Sequence, residues 1–88
     1  MPAITLRLSE SLLCIFRDAG TPKEEISRIT IEEGTTVREI LATQGINPLL
    51  VPMAGFSEPD TLDQQRIDLN TPLNISGTLT LYGPLAGG

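Results

Sequence analysis

The sequence predicts a small α+β domain, a mixed sheet of four or five strands crossed by one principal helix, with a thin tail leaving the last strand. Three observations predict it. Residues Ala3–Leu8 and Thr78–Tyr82 alternate apolar and polar, the period of a strand with one buried face. Thr36-Val37-Arg38-Glu39 has the form of a capping box, in which the threonine accepts from the amide three residues on and the glutamate reaches back. The sequence closes on Leu85-Ala86-Gly87-Gly88, where two glycines leave no side chain at the last two positions.

Taken in order, Ala3–Leu8 is the first strand. Ser9 introduces Glu10 to Ala19, with apolar residues at Leu12, Leu13, Ile15 and Phe16, and Gly20-Thr21-Pro22 closes the stretch. It reads as a short helix capped by Ser9 or as a continuation of the hairpin. Ile29-Thr30-Ile31 gives a second strand that reaches back to Ile26, and Glu33-Gly34 supplies a turn. In the helix that follows, Val37, Ile40 and Leu41 share one face and belong to the core, and Gly45 is placed to end it.

Leu49 to Met53 is an apolar run expected to be the third strand, with Pro52 pointing to an edge or a bulge. Residues 55–66 are polar and read as a surface connection. Ile67 and Leu69 suggest a short strand, and Thr71-Pro72-Leu73 a turn or single helical turn. The last strand stops at Gly83-Pro84, because proline cannot donate to a ladder. The chain is then one domain, 1–88, with a flexible tail over 83–88 that spans about 20 Å when extended.

Composition removes several functions. With 88 residues, 40% hydrophobic and 19% charged, the chain is a folded domain rather than a disordered one. A net charge of −5 argues against nucleic-acid binding. Histidine is absent and Cys14 is the lone cysteine, which leaves no Ser-His or Cys-His pair, no intramolecular disulfide and no expected metal site. Cys14 lies between Leu13 and Ile15 and is expected to be a buried structural thiol. No apolar run approaches a membrane span and no signal peptide is recognisable, so the expected compartment is the cytoplasm, with no membrane partner. No catalytic constellation is visible, and chemistry is expected to come from a partner. The Glu24-Glu25 and Glu32-Glu33 pairs read as solvated turns.

Three stretches resemble the MoaD/ThiS family of ubiquitin-like sulfur carrier proteins. Glu33 to Leu41 resembles that family's turn into its principal helix, and Asp68 to Leu73 its return toward the last strand. Leu79-Thr80-Leu81-Tyr82-Gly83-Pro84-Leu85-Ala86-Gly87-Gly88 closely resembles its ending. Two positions depart from the pattern: Asn74-Ile75-Ser76-Gly77 replaces an acidic turn before the last strand, and Ala54-Gly55 stands where Asn-Gly is usual. The long segment between Leu8 and Ile26 is closer to the molybdopterin synthase small subunit than to the shorter thiamine-type carriers.

The resemblance implies a ubiquitin-like β-grasp fold and chemistry supplied in trans. A ubiquitin-activating-enzyme-like adenylyltransferase would use ATP and magnesium to adenylate the Gly88 carboxylate, and a sulfur donor protein would convert it to a thiocarboxylate. A downstream synthase subunit would then take the sulfur. No cofactor is expected to stay bound. On this reading Gly88 carries the activated group and Gly87 keeps the tail thin enough for the partner's channel. Pro84, Leu85 and Ala86 dock the tail, and Tyr82 faces the partner, with sheet packing as its plainer role. An apolar docking patch is expected around the last strand. The alternatives are a carrier for thiamine thiazole synthesis or another thiolation pathway, a ubiquitin-like protein modifier, and an inert interaction module.

Overall fold

The computed structural model describes residues 1–61 and 63–84. In chain order these form β1 (Ala3–Leu8), α1 (Glu10–Asp18), β2 (Ile26–Thr30), β3 (Thr35–Thr36), α2 (Val37–Thr43), a 3-10 turn (Pro48–Leu50), β4 (Met53–Ser57), β5 (Gln65–Ile67), β6 (Pro72–Leu73) and β7 (Gly77–Tyr82). Five strands make one sheet in the order β2-β1-β7-β4-β5, and β3 pairs with β6 in a separate ribbon. The first and last strands run parallel at the centre, Ile4 opposite Gly77 through Leu8 opposite Leu81. Their outer neighbours are antiparallel. This is the ubiquitin-like β-grasp arrangement expected from the sequence.

The sheet has one buried face. Ile4, Leu6 and Leu8 of β1, Leu79 and Leu81 of β7 and Ala54 of β4 point into the core, where Val37, Ile40 and Leu41 of α2 meet them. Sequence alternation and burial agree because each strand presents every second residue to the helices. α2 is short, and its ends are fully tied. Glu39 N–H donates to Thr36 Oγ1 at 3.2 Å while Glu39 Oε1 accepts from the Thr36 amide at 3.1 Å, so the expected capping box is present. Its two preceding amides, Val37 and Arg38, donate to the carbonyls of Thr71 and Leu69. The donors a helix start leaves without partners are thereby satisfied by the segment that leads into β6.

At the other end Gly45 takes φ +70°. The Ile46 amide donates to Leu41 carbonyl at 2.9 Å and Gly45 to Ala42 at 3.3 Å, the paired bonds of a Schellman stop with Ile46 buried beside Leu41. Lys23 joins the helices: its Nζ donates to the Gln44 carbonyl at 3.1 Å and lies 5.3 Å from the Phe16 ring centre.

Residues 10–19, open between helix and hairpin in the sequence, form α1 with Leu12 and Phe16 buried one turn apart. Other expectations are corrected. The Leu49–Met53 run is not a strand: Asn47 Oδ1 accepts from the Leu49 amide at 2.9 Å and Pro48 pre-sets the first position, which together wind Pro48–Leu50 into a 3-10 turn. The strand begins only after Pro52 and takes in Gly55-Phe56-Ser57, expected as surface connection, between β7 and β5. Thr71-Pro72-Leu73 is no helical turn, since Pro72 and Leu73 pair with Thr36 and Thr35. Cys14 is half-buried rather than core, and its Sγ accepts from Arg17 Nη2 at 3.1 Å.

Thr36→Ala removes the Oγ1 arm of the capping box, leaving the backbone arm to Glu39, and should lower unfolding free energy by about 1 kcal/mol. A urea titration should show a lower midpoint at unchanged slope, and Thr36→Ser should restore most of the loss.

Candidate functional site

Everything expected of the tail depends on where β7 ends. Tyr82, its last residue, lies opposite Met53 and is half-buried on the sheet face away from the helices. Its hydroxyl accepts from Gln64 Nε2. Gly83 follows and is buried rather than free: its amide donates to Ser9 Oγ at 3.1 Å. A Cβ on Gly83 would sit 2.7 Å from Ser11 Oγ and 3.1 Å from both Leu12 Cγ and Leu12 N. A side chain there would have to move the Ser11 hydroxyl and press on Leu12 at the start of α1. Pro84 is exposed. The tail expected to begin at Gly83 therefore has its root fixed through that residue. Leu85, Ala86, Gly87 and Gly88 lie outside the described residues.

The sheet face beside that root is the second feature. Alternation sends Thr5 and Arg7 of β1 outward, and strand register places Ile26 and Thr80 beside Arg7, Arg28 and Thr78 beside Thr5, and Arg66 and Thr80 beside Gly55. One row across the sheet therefore reads Ile26, Arg7, Thr80, Gly55, Arg66. The five strands contain no Asp or Glu. Three of the chain's six basic residues share this face, although acidic residues outnumber basic ones eleven to six overall. The acidic residues sit in helices and turns, with Glu24, Glu25, Glu32 and Glu33 exposed around the ends of β2.

The face is shallow because threonines and Gly55 line it, and the Gln64 side chain lies over Gly55, where an added Cβ would meet it. An apolar docking patch was expected around the last strand, but Leu79 and Leu81 are fully buried in the core. The exposed surface there is polar and cationic, with Tyr82, Met53 and Ile26 as its larger apolar contributions. The other large exposed hydrophobics among the described residues, Met1, Leu49 and Ile75, are separate from one another in sequence.

Among the described residues no group of three or more His, Cys, Asp or Glu could hold a metal ion. A surface depression of about 670 Å³ lies between Arg38, Pro48–Leu49 and Arg66–Leu69. It gathers two guanidiniums and the Asp68 carboxylate and brings no nucleophile to them.

Of the expected site residues, the structure puts Tyr82 and Pro84 together at the tail root. Ser9, Ser11, Gly83 and the three arginines were missed. Arg7 was legible as an outward residue from its alternation with Leu6 and Leu8. Ser9 carried no such signal, because its partner is 74 residues away.

Gly83→Ala should cost about 1–3 kcal/mol, since the new methyl must displace Ser11 and Leu12. Pro84→Ala, at an exposed position, should stay within about 0.5 kcal/mol of the parent. Thermal melts of the two variants side by side check that contrast.

No protein-family model matches the chain, and no curated protein does. Among solved structures, the crystal structure of SAMP1 from Haloferax volcanii superposes with a TM-score of 0.56 at 18% identity, covering 98% of this chain and 99% of that one. At that identity the shared property is the fold, and both chains have the ubiquitin-like β-grasp architecture.

Proposed function

We propose that this chain is a sulfur carrier of the MoaD/ThiS kind, working through Gly88 as its carboxyl end. The observation that carries the reading is the tail root. A central strand ends in a buried Gly83 and an exposed Pro84, and the sequence then runs Leu85-Ala86-Gly87-Gly88. A thin peptide held at its base by a rigid sheet is suited to entering a partner's active site. Preorganising the base lowers the ordering cost of that entry.

The chemistry is acyl activation. A Gly88 carboxylate oxygen attacks the α-phosphorus of ATP, and magnesium pyrophosphate leaves. Sulfur at the oxidation level of sulfide then adds to the acyl carbon, and AMP departs with the oxygen it gained. One C–O bond is replaced by one C–S bond with no net redox change. A persulfide donor meets the same balance when a thiol takes up the second sulfur as a disulfide. The product thiocarboxylate presents a sulfur more nucleophilic than the carboxylate oxygen it replaced.

The partners on this reading are an adenylyltransferase, a sulfur donor protein and a synthase that consumes the sulfur. Arg7, Arg28 and Arg66 favour an acidic docking surface on the activating enzyme, because an acid-free cationic face steers such an encounter. Molybdopterin-type cofactor synthesis is the preferred pathway, on the resemblance in length of the segment between Leu8 and Ile26. Among the described residues no helix is long and apolar enough to cross a membrane.

Intact-protein mass spectrometry after incubation with ATP, magnesium, the activating enzyme and a sulfur donor tests the reading. A gain equal to sulfur replacing oxygen, mapped to the C-terminal peptide, is expected, and a chain ending at Gly87 should stay unmodified. No shift with an enzyme active on a control carrier rejects it. A ladder of larger conjugates in cell lysate would favour the protein-modifier role instead. Pathway function retained after replacing Gly88 would favour an inert module.

Reversing Arg7 and Arg66 to Glu should raise KM for the carrier at least about tenfold, with the gap narrowing as salt is added. Steady-state kinetics at two ionic strengths check this.

A further inference from the structure

Ser9 stands at the N-cap of α1, yet its side chain makes no capping bond. Its hydroxyl is used elsewhere, and strand register explains how. Leu8 lies opposite Leu81, so Ser9 falls opposite Tyr82. In a parallel ladder a residue in that position donates its amide to the residue before its partner and offers its carbonyl to the residue after. The first bond is present: Ser9 N–H donates to the Leu81 carbonyl at 2.9 Å. The second would run from the Gly83 amide to the Ser9 carbonyl, but that carbonyl accepts the first helical bond, from the Leu13 amide at 3.0 Å. The Gly83 amide is met at 3.1 Å by Ser9 Oγ instead. The hydroxyl stands in for the carbonyl that the helix has taken, and the ladder gains one more rung.

We propose that the Ser9 hydroxyl is a positioning group that fixes the direction in which the C-terminal tail leaves the sheet. Three features of the structure agree. Pro84 has no amide hydrogen, so Gly83 is the last backbone donor before Leu85. Gly83 lies so close to Ser11 and Leu12 that a Cβ there would have to displace the Ser11 hydroxyl. Ser11 Oγ lies 3.1 Å from Ser9 Oγ and is placed to hold that hydroxyl's orientation. Ser9 touches no reacting atom. Its effect on chemistry rests on the carrier reading and acts through where residues 84–88 start.

The test compares the full chain with Ser9→Ala and Ser9→Thr. Because the Ser9 side chain makes no capping bond, alanine removes the Gly83 contact without removing a cap. Amide hydrogen exchange measured by NMR should be about fivefold or more faster at Gly83 in Ser9→Ala, the effect of losing one hydrogen bond. Exchange at the Ser9 amide, which reports the backbone bond to Leu81, should stay unchanged. Activation of Gly88 by the adenylyltransferase should then show kcat lowered about tenfold at unchanged KM, because the start of the tail is misplaced while the arginine face is intact. Ser9→Thr should restore both readouts. Unchanged protection at Gly83 in Ser9→Ala overturns the proposal, as does a KM effect with kcat preserved. A parent chain that is not activated at all rejects the carrier reading, and exchange at Gly83 still decides whether Ser9 holds the root.

Discussion

The parallel pairing of β1 with β7 is the constraint on which the rest depends. It places the first and last strands together at the centre of the sheet, so Ile4, Leu6, Leu79 and Leu81 form the middle of the core. It also brings the end of β1 beside the end of β7. The chain has to turn away there, and it does so by starting α1. The helix start therefore packs against the point where the last strand leaves, and Ser9 serves both elements at once. Had the two strands been antiparallel, their ends would have lain at opposite edges and α1 could not have touched Gly83.

The central pairing also explains the division of charge. A strand between two neighbours, with one face under helices, has only its outer face to offer. In this sheet that face carries arginines, threonines and a glycine, and the carboxylates are confined to turns and helices. A protein of net charge −5 thus presents a locally cationic surface next to the root of its tail. The register sets Arg7 and Arg66 in one row across the outer face, where a docked partner would meet them within a Debye length of about 8 Å at physiological salt.

Much of the fold was legible where the signal is local. The alternation of residues 3–8 and 78–82, the Thr36–Glu39 box and Gly45 each state their structure within a few positions, and each was found where expected. The misses share a cause. Leu49–Met53 has the composition of a strand, but the Asn47-Pro48 start winds its first half into a 3-10 turn and moves the strand to Met53–Ser57. Gly55 reads as a turn in isolation and is a mid-sheet residue in the structure, lying between Thr80 and Arg66. Pro72 and Leu73 become a strand only because Thr35 and Thr36 lie beside them. At the site, Tyr82 and Pro84 came from the motif, whereas the roles of Gly83 and Ser9 come from a contact across 74 residues that no local pattern announces. Gly87 and Gly88 carry the functional argument through sequence resemblance.

The most direct measurement is the intact mass of the protein purified from its own cells under conditions that protect acyl sulfur, with fragmentation of the C-terminal peptide. The account predicts a population ending at Gly88 whose terminal oxygen is replaced by sulfur, and which an alkylating reagent labels at that atom. A population made only of the plain carboxylate in cells actively drawing on the pathway, or a chain that continues past Gly88, would contradict it.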